Sequence, residues 1–83
     1  MILKAYSIRD IHSGFSVPTF EYNEAIAIRQ FQNAVISTTG VLKSHKSDFS
    51  LYEVGSFDTE TAKFTPFTGP DFRLLIDGAD VEV

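Results

Sequence analysis

The sequence predicts an α+β fold: a ββαββ antiparallel sheet with one helix packed on one face, and a C-terminal extension. Three observations carry the prediction. Segments of β-type alternation lie on both sides of residues 23–36; within those residues apolar side chains recur every three or four positions; Gly- and Pro-containing turn signals separate the pieces. At 83 residues there is room for one domain. The α+β domain is expected over residues 1–70, with 71–83 an acidic C-terminal extension that forms an extra strand or a docking arm. An apolar content of 43%, including eight Phe, separates the chain from disordered sequences.

Taken in order, Ile2 to Arg9 has Leu3 and Ala5 on one parity and Ile2, Tyr6 and Ile8 on the other. Apolar residues on both faces fit a central strand. His12-Ser13-Gly14 is a turn, Gly14 supplying the backbone freedom. Phe15 to Tyr22 resumes as a strand, and Pro18, which cannot donate to a ladder, places it at an edge or bulge. Asn23 is an N-cap and Glu24 complements the positive end of the helix that follows. Ala27, Ile28, Phe31, Ala34 and Val35 form its apolar stripe to about Ile36, and Gly40 is expected as a left-handed cap. Val41 to Ser47 is a basic loop. Phe49 to Phe57 is a strand with Tyr52 and Val54 on one face and a bulge at Gly55. Asp58 to Ala62 is a polar turn, and Lys63 to Phe67 the last strand of the domain. Leu74-Leu75-Ile76 and the Asp77-Gly78 turn signal belong to the extension.

Absent residue types exclude whole classes of chemistry. Without cysteine there is no disulfide framework, Cys-ligated zinc or iron–sulfur cluster. The two histidines have no metal-pair spacing, and the five isolated glycines form no phosphate-cradling loop. No nucleophile motif occurs, so no cofactor, metal or catalytic residue is assigned and the protein is read as a non-enzyme. No apolar run approaches the roughly 20 residues of a membrane span, and the opening Met1-Ile2-Leu3-Lys4 does not read as a signal peptide.

Charge distribution leaves a binding role open. The net charge is −4, but Asp71, Asp77, Asp80 and Glu82 against Arg73 supply three of those four units. Lys43, His45 and Lys46 cluster without an acid before Asp48, and Arg9 and Arg29 stand elsewhere as further cations. Aromatic side chains beside cations stack bases while the cations hold phosphates. Tyr6 and Tyr52 are the preferred stacking candidates, with Phe15, Phe20 and Tyr22 behind them, because a domain this small is expected to spend most of its Phe on the core. One helix covers one side of a four-stranded sheet, so the other meets water, a ligand or a partner. If Ile2, Tyr6 and Ile8 emerge there, a two-fold homodimer buries them.

The segments Ser7-Ile8-Arg9-Asp10, Pro18-Thr19-Phe20, Asn23 to Phe31, Ser47 to Thr61 and Phe64-Thr65-Pro66-Phe67 together resemble the small nonstructural protein of gokushovirus-type microviruses, the tiny single-stranded DNA phages. The resemblance spans residues 1–67, and Leu51-Tyr52-Glu53-Val54-Gly55-Ser56-Phe57-Asp58 is its most specific part. Ala62 stands where a turn glycine is expected. The resemblance implies a DNA-associated role in the host cytoplasm, during genome replication or packaging, and absence from the mature virion. Single-stranded DNA is then the expected ligand, bound without sequence preference through Arg9, Arg29, Lys43, His45 and Lys46, with Tyr6 and Tyr52 stacking. The contacts to phosphate would be strongly salt-dependent. The alternative is an adaptor that redirects or inhibits a phage or host replication protein without touching DNA, and a third reading is a minor capsid or scaffolding component.

Overall fold

Strand β1 (Ile2–Asp10) and strand β4 (Phe49–Asp58) form the antiparallel centre of a sheet whose flanks are each built from two short strands. The computed structural model describes residues 1–68 and 72–82. On the outer side of β1 lie β2 (Gly14–Phe15) and β3 (Thr19–Glu21); on the outer side of β4 lie β5 (Phe64–Pro66) and β6 (Arg73–Asp77). The fold is α+β, a six-stranded antiparallel sheet with one main helix, α1 (Glu24–Ser37). No helix among the described residues is long and apolar enough to cross a membrane.

The element boundaries follow from local chemistry. Asn23 caps α1 as expected, its side-chain oxygen accepting from the Ile26 N–H at 3.0 Å. Pro18 splits the expected second strand in two, because a residue without an N–H cannot sit inside a ladder. The Asp10 carboxylate closes the first turn, accepting from the His12 N–H at 2.9 Å and the Ser13 hydroxyl at 3.1 Å, and these bonds hold its pKa below the usual carboxylate range. Gly14 leaves that turn at φ +93°, a conformation L side chains rarely adopt. The polar turn after β4 places Ala62 at φ 61°, which explains why a glycine suits that position.

Two expectations are corrected, and the C-terminal extension takes one of its two expected forms. Gly40 is not a left-handed cap: its φ is −91°, and it begins a one-turn helix, α2 (Val41–Ser44), while Thr38 ends α1. The basic segment is therefore helical, continuing through a 3-10 turn at Lys46–Asp48. The extension contributes β6 to this chain's own sheet, followed by a 3-10 turn at Gly78–Asp80, where the Asp77 carboxylate accepts from the Ala79 N–H at 3.0 Å. The flanks of this extension, at Gly69 to Asp71 and at Val83, lie outside the described residues.

Beneath α1, Tyr6, Leu51 and Val81 pack against Ala27, Phe31 and Val35, with Ile8, Phe49 and Ile76 at the margin. Tyr6 and Ile8, which would have served a dimer had they emerged on the open face, thus lie under the helix. The Tyr6 ring is 1% exposed, and its hydroxyl has no hydrogen-bond partner among the described residues. Burial, with Glu53 alongside, pushes that hydroxyl up to about 12. Glu53 is itself buried and holds the Arg73 guanidinium at 3.2 Å, with the Lys4 ammonium at 3.8 Å. Arg73 also binds Glu24 of α1 at 2.6 Å, and this contact first, then Glu53, raises its pKa. One guanidinium thus joins β6, β4 and the start of α1.

A test of the Tyr6 environment follows. Tyr6→Phe removes a buried hydroxyl that has no hydrogen-bond partner among the described residues, so stability at neutral pH is expected to hold or rise by about 1 kcal/mol. The folded pKa lies above the unfolded value, so the wild type binds the proton more tightly when folded and loses stability as pH rises from 10 toward 12. Each unit is worth about 1.4 kcal/mol. Urea titrations at pH 7 and pH 11 check this: the wild-type midpoint should fall further than that of the Phe variant, and equal falls would refute the assignment.

Candidate functional site

Residues directly opposite one another across a sheet share a face, which lets the register define both sides of this one. Tyr6 pairs with Glu53 and Ile8 with Leu51, on the helix side. The odd-numbered residues of β1 point the other way. Leu3 pairs with Phe57, which pairs with Phe64; Ala5 pairs with Phe20 and with Gly55; Ser7 pairs with Tyr52, which pairs with Leu74; Arg9 pairs with Phe15. The face without a helix is therefore an aromatic surface.

Its rings gather in two nests. In one, Phe15 meets Tyr52 edge-on at 5.6 Å and Phe72 at 5.4 Å, with the Arg9 guanidinium 5.9 Å from the centre of the Phe15 ring. That geometry is a cation–π contact. In the other, Phe20 lies 5.2 Å from Phe57 and 6.5 Å from Phe64. Phe15, Phe20, Phe64 and Phe72 remain 40–46% exposed, while the small residues beneath them, Ala5, Ser7 and Gly55, are buried. A Cβ on Gly55 would sit 2.6 Å from the Thr65 carbonyl oxygen and 2.7 Å from the Phe64 ring. Glycine there lets the second nest lie directly on the backbone.

A bulge makes this face possible. Gly55 pairs with Ala5 and Glu53 with Tyr6, leaving Val54 as the extra residue. Tyr52 and Phe57 are five positions apart and would point oppositely in a regular strand; the extra residue returns them to one side. The bulge was expected at Gly55, but it turns Phe57 toward the aromatic face and not toward the helix. The core expectation for Phe is overturned as well: of the eight, Phe31 is the one fully buried.

The structure separates the residues expected to act together. Arg9 and Tyr52 share the aromatic face. Tyr6 is in the core beneath α1, where no base reaches its ring. Arg29 is exposed on α1, in the layer on the opposite side of the sheet. Lys43 and His45 follow Leu42, which packs on the helix-side core; both are exposed there, and the His45 ring contacts the Ser44 hydroxyl at 2.8 Å. His45 also lines a surface pocket with His12, Asp10 and Asp48, where Asp48 holds His12 at 3.5 Å, so acids offset this corner. Lys46 donates to the Val81 carbonyl oxygen and fastens the C-terminal turn. Lys43, His45 and Lys46 thus sit on α2 and the turn after it, whereas Arg9 lies on the aromatic face against Phe15.

Sequence reasoning missed Phe57, Phe64 and Phe72. A cue existed in the short flanking strands, three of which carry a Phe near a turn, but the rings those Phe meet are distant in sequence.

Neither the comparison with curated proteins nor that with solved structures gives a match. The family model described as Phage ORF5 protein matches residues 3–81, which takes in both central strands, the helix and the C-terminal strand. The chain belongs to the phage ORF5 protein family.

Proposed function

We propose that this phage protein binds single-stranded DNA without sequence preference, laying bases on the aromatic sheet face with Arg9 beside the backbone. It is a binding protein and not an enzyme, of the gokushovirus-type nonstructural class, acting in the host cytoplasm during genome replication or packaging. The observation that supports the reading is the uncovered face itself: exposed rings of Phe15, Phe20, Phe64 and Phe72, with Tyr52 between strands and one guanidinium against Phe15. Every base has a π-face, so such a surface takes any sequence. An unpaired strand offers those faces, and a duplex hides them in its stack.

The dispersal of the other cations changes the expected salt response. Arg9 is the one basic residue among the paired positions of this face. Each phosphate contact on a single strand contributes about −0.7 to the slope of log K against log salt. A slope near −1 is expected in place of a steep one. The test is fluorescence anisotropy with a labelled single strand of about 30 nucleotides across a salt series, beside duplex of the same sequence. Phe15→Ala should weaken binding about 5- to 150-fold, the range of one lost base stack, and Arg9→Glu should flatten the salt slope. Equal affinity for duplex and single strand, or an unchanged Phe15→Ala affinity, refutes the stacking mode.

The net charge of −4 favours a second reading. An acidic protein with an apolar face and one cation also suits an adaptor that engages a replication protein. No DNA binding at low salt, where attraction is greatest, selects that alternative.

A further inference from the structure

We infer that a second copy of this chain covers the aromatic face when no DNA strand occupies it, so that self-association and strand binding exclude one another. The inference rests on the proposed stacking mode for its second half and on the composition of the face for its first.

Four Phe side chains with 40–46% of their surface open, and Leu74 with 52%, leave roughly 400 Å² of apolar surface per protomer, taking about 200 Å² for a complete aromatic side chain. Closing two such faces removes roughly 800 Å² from water, below the ~1,200 Å² at which standard interfaces begin. A dimer of that size is weak and exchanges readily, as a cover displaced by a ligand must. The earlier expectation of a dimer through Ile2, Tyr6 and Ile8 does not survive, since Tyr6 and Ile8 lie under α1. The surface available for a two-fold contact is the other side of the same strand.

Its layout suits pairing with itself. The nest of Phe20, Phe57 and Phe64 lies toward one end of β1, and that of Phe15, Tyr52 and Phe72 toward the other. A two-fold axis in the plane of the face, crossing β1 between them, sets each nest against the partner's opposite nest. The same axis places the two Arg9 side chains at opposite ends of the contact, so like charges stay apart. No acidic residue stands at the odd positions Leu3, Ala5, Ser7 or Arg9 of β1 to oppose closure.

The experiment is sedimentation velocity on the full chain from about 5 to 500 µM, alone and with a fluorescent oligothymidylate of about 12 nucleotides. The expected result is a monomer–dimer equilibrium with a midpoint in the tens of micromolar, shifted to monomeric protein–DNA complexes by the oligonucleotide. Leu74→Arg, at an exposed position on this face and outside the proposed stacking set, should weaken dimerisation at least about tenfold while strand binding persists. Three results overturn the inference: monomer at every concentration, a dimer that carries DNA without dissociating, or a dimer untouched by Leu74→Arg. The first of these leaves the DNA reading intact. A dimer that binds no oligonucleotide refutes the DNA reading and with it the exclusion.

Discussion

Gly78→Ala is expected to lift the C-terminal segment off the domain and lower stability by at least about 3 kcal/mol, in the range reserved for steric failures and core loss. A Cβ at this position would lie 1.9 Å from the Lys46 carbonyl oxygen and 2.8 Å from that of Phe49. Both obstacles are backbone atoms, one in the 3-10 turn and one at the start of β4, so neither moves as a flexible side chain does. Relief requires the Gly78–Asp80 turn to withdraw. Val81, 2% exposed in the core, would leave with it, as would the bond from the Lys46 ammonium to the Val81 carbonyl. For a domain of this size 1 kcal/mol corresponds to about 4–8 °C in Tm, so the melt should fall by more than about 12 °C. The two residues act through one docking event, so Val81→Ala followed by Gly78→Ala should cost less than the sum of the single changes. A thermal melt of the four proteins measures this, and an unchanged Tm for Gly78→Ala would refute the packing of this turn.

Phe31→Ala should be comparably severe. Phe31 is 2% exposed at the centre of the apolar stripe of α1, between Ala27 and Val35. Truncating a buried Phe costs about 3–5 kcal/mol, against a total of about 4–12 kcal/mol for a domain of this length. Its neighbourhood already contains a groove of about 190 Å³, lined by Tyr6, Ile8, Ala27, Ala34 and Leu51 as well as Phe31. New space would join that groove and not be closed by collapse. Urea denaturation followed by far-UV circular dichroism should show a variant marginally folded or unfolded in water. Loss of less than about 1 kcal/mol would mean that the ring is not in the core.

The contrast between Phe31 and the other aromatic residues marks what a one-dimensional reading captures. Helix α1 was legible to within a residue, because its periodicity and Asn23 are local signals. Strands β1 and β4 were legible as strands, but which side of each faces the helix was not. Apolar residues occupy both parities of β1, and only packing decides that Tyr6 and Ile8 go under α1 while Leu3 and Ala5 go beneath the rings. Gly55 announced the bulge to within a residue of Val54, but the side to which the extra residue turns Phe57 is decided by packing and not by composition. Phe15, Phe20, Phe64 and Phe72 sit on short flanking segments, and the rings they meet, Phe15 with Tyr52 and Phe72, Phe20 with Phe57 and Phe64, are far apart in sequence. The basic segment failed for a related reason. Lys43, His45 and Lys46 are close in sequence, yet one turn of helix and the bond from Lys46 to Val81 give them different tasks.

The placement of β6 bears on the order in which the molecule can be made. β1 is made well before its ladder partner β4, which begins at Phe49, and the core beneath both is closed only by Val81. A nascent chain therefore carries its aromatic rings and half-built sheet exposed until Val81 has been made. Contacts this distant along the sequence fold slowly, and exposed strand edges are then open to aggregation and to chaperones. A message truncated anywhere before residue 81 yields a product without the Val81 core side chain.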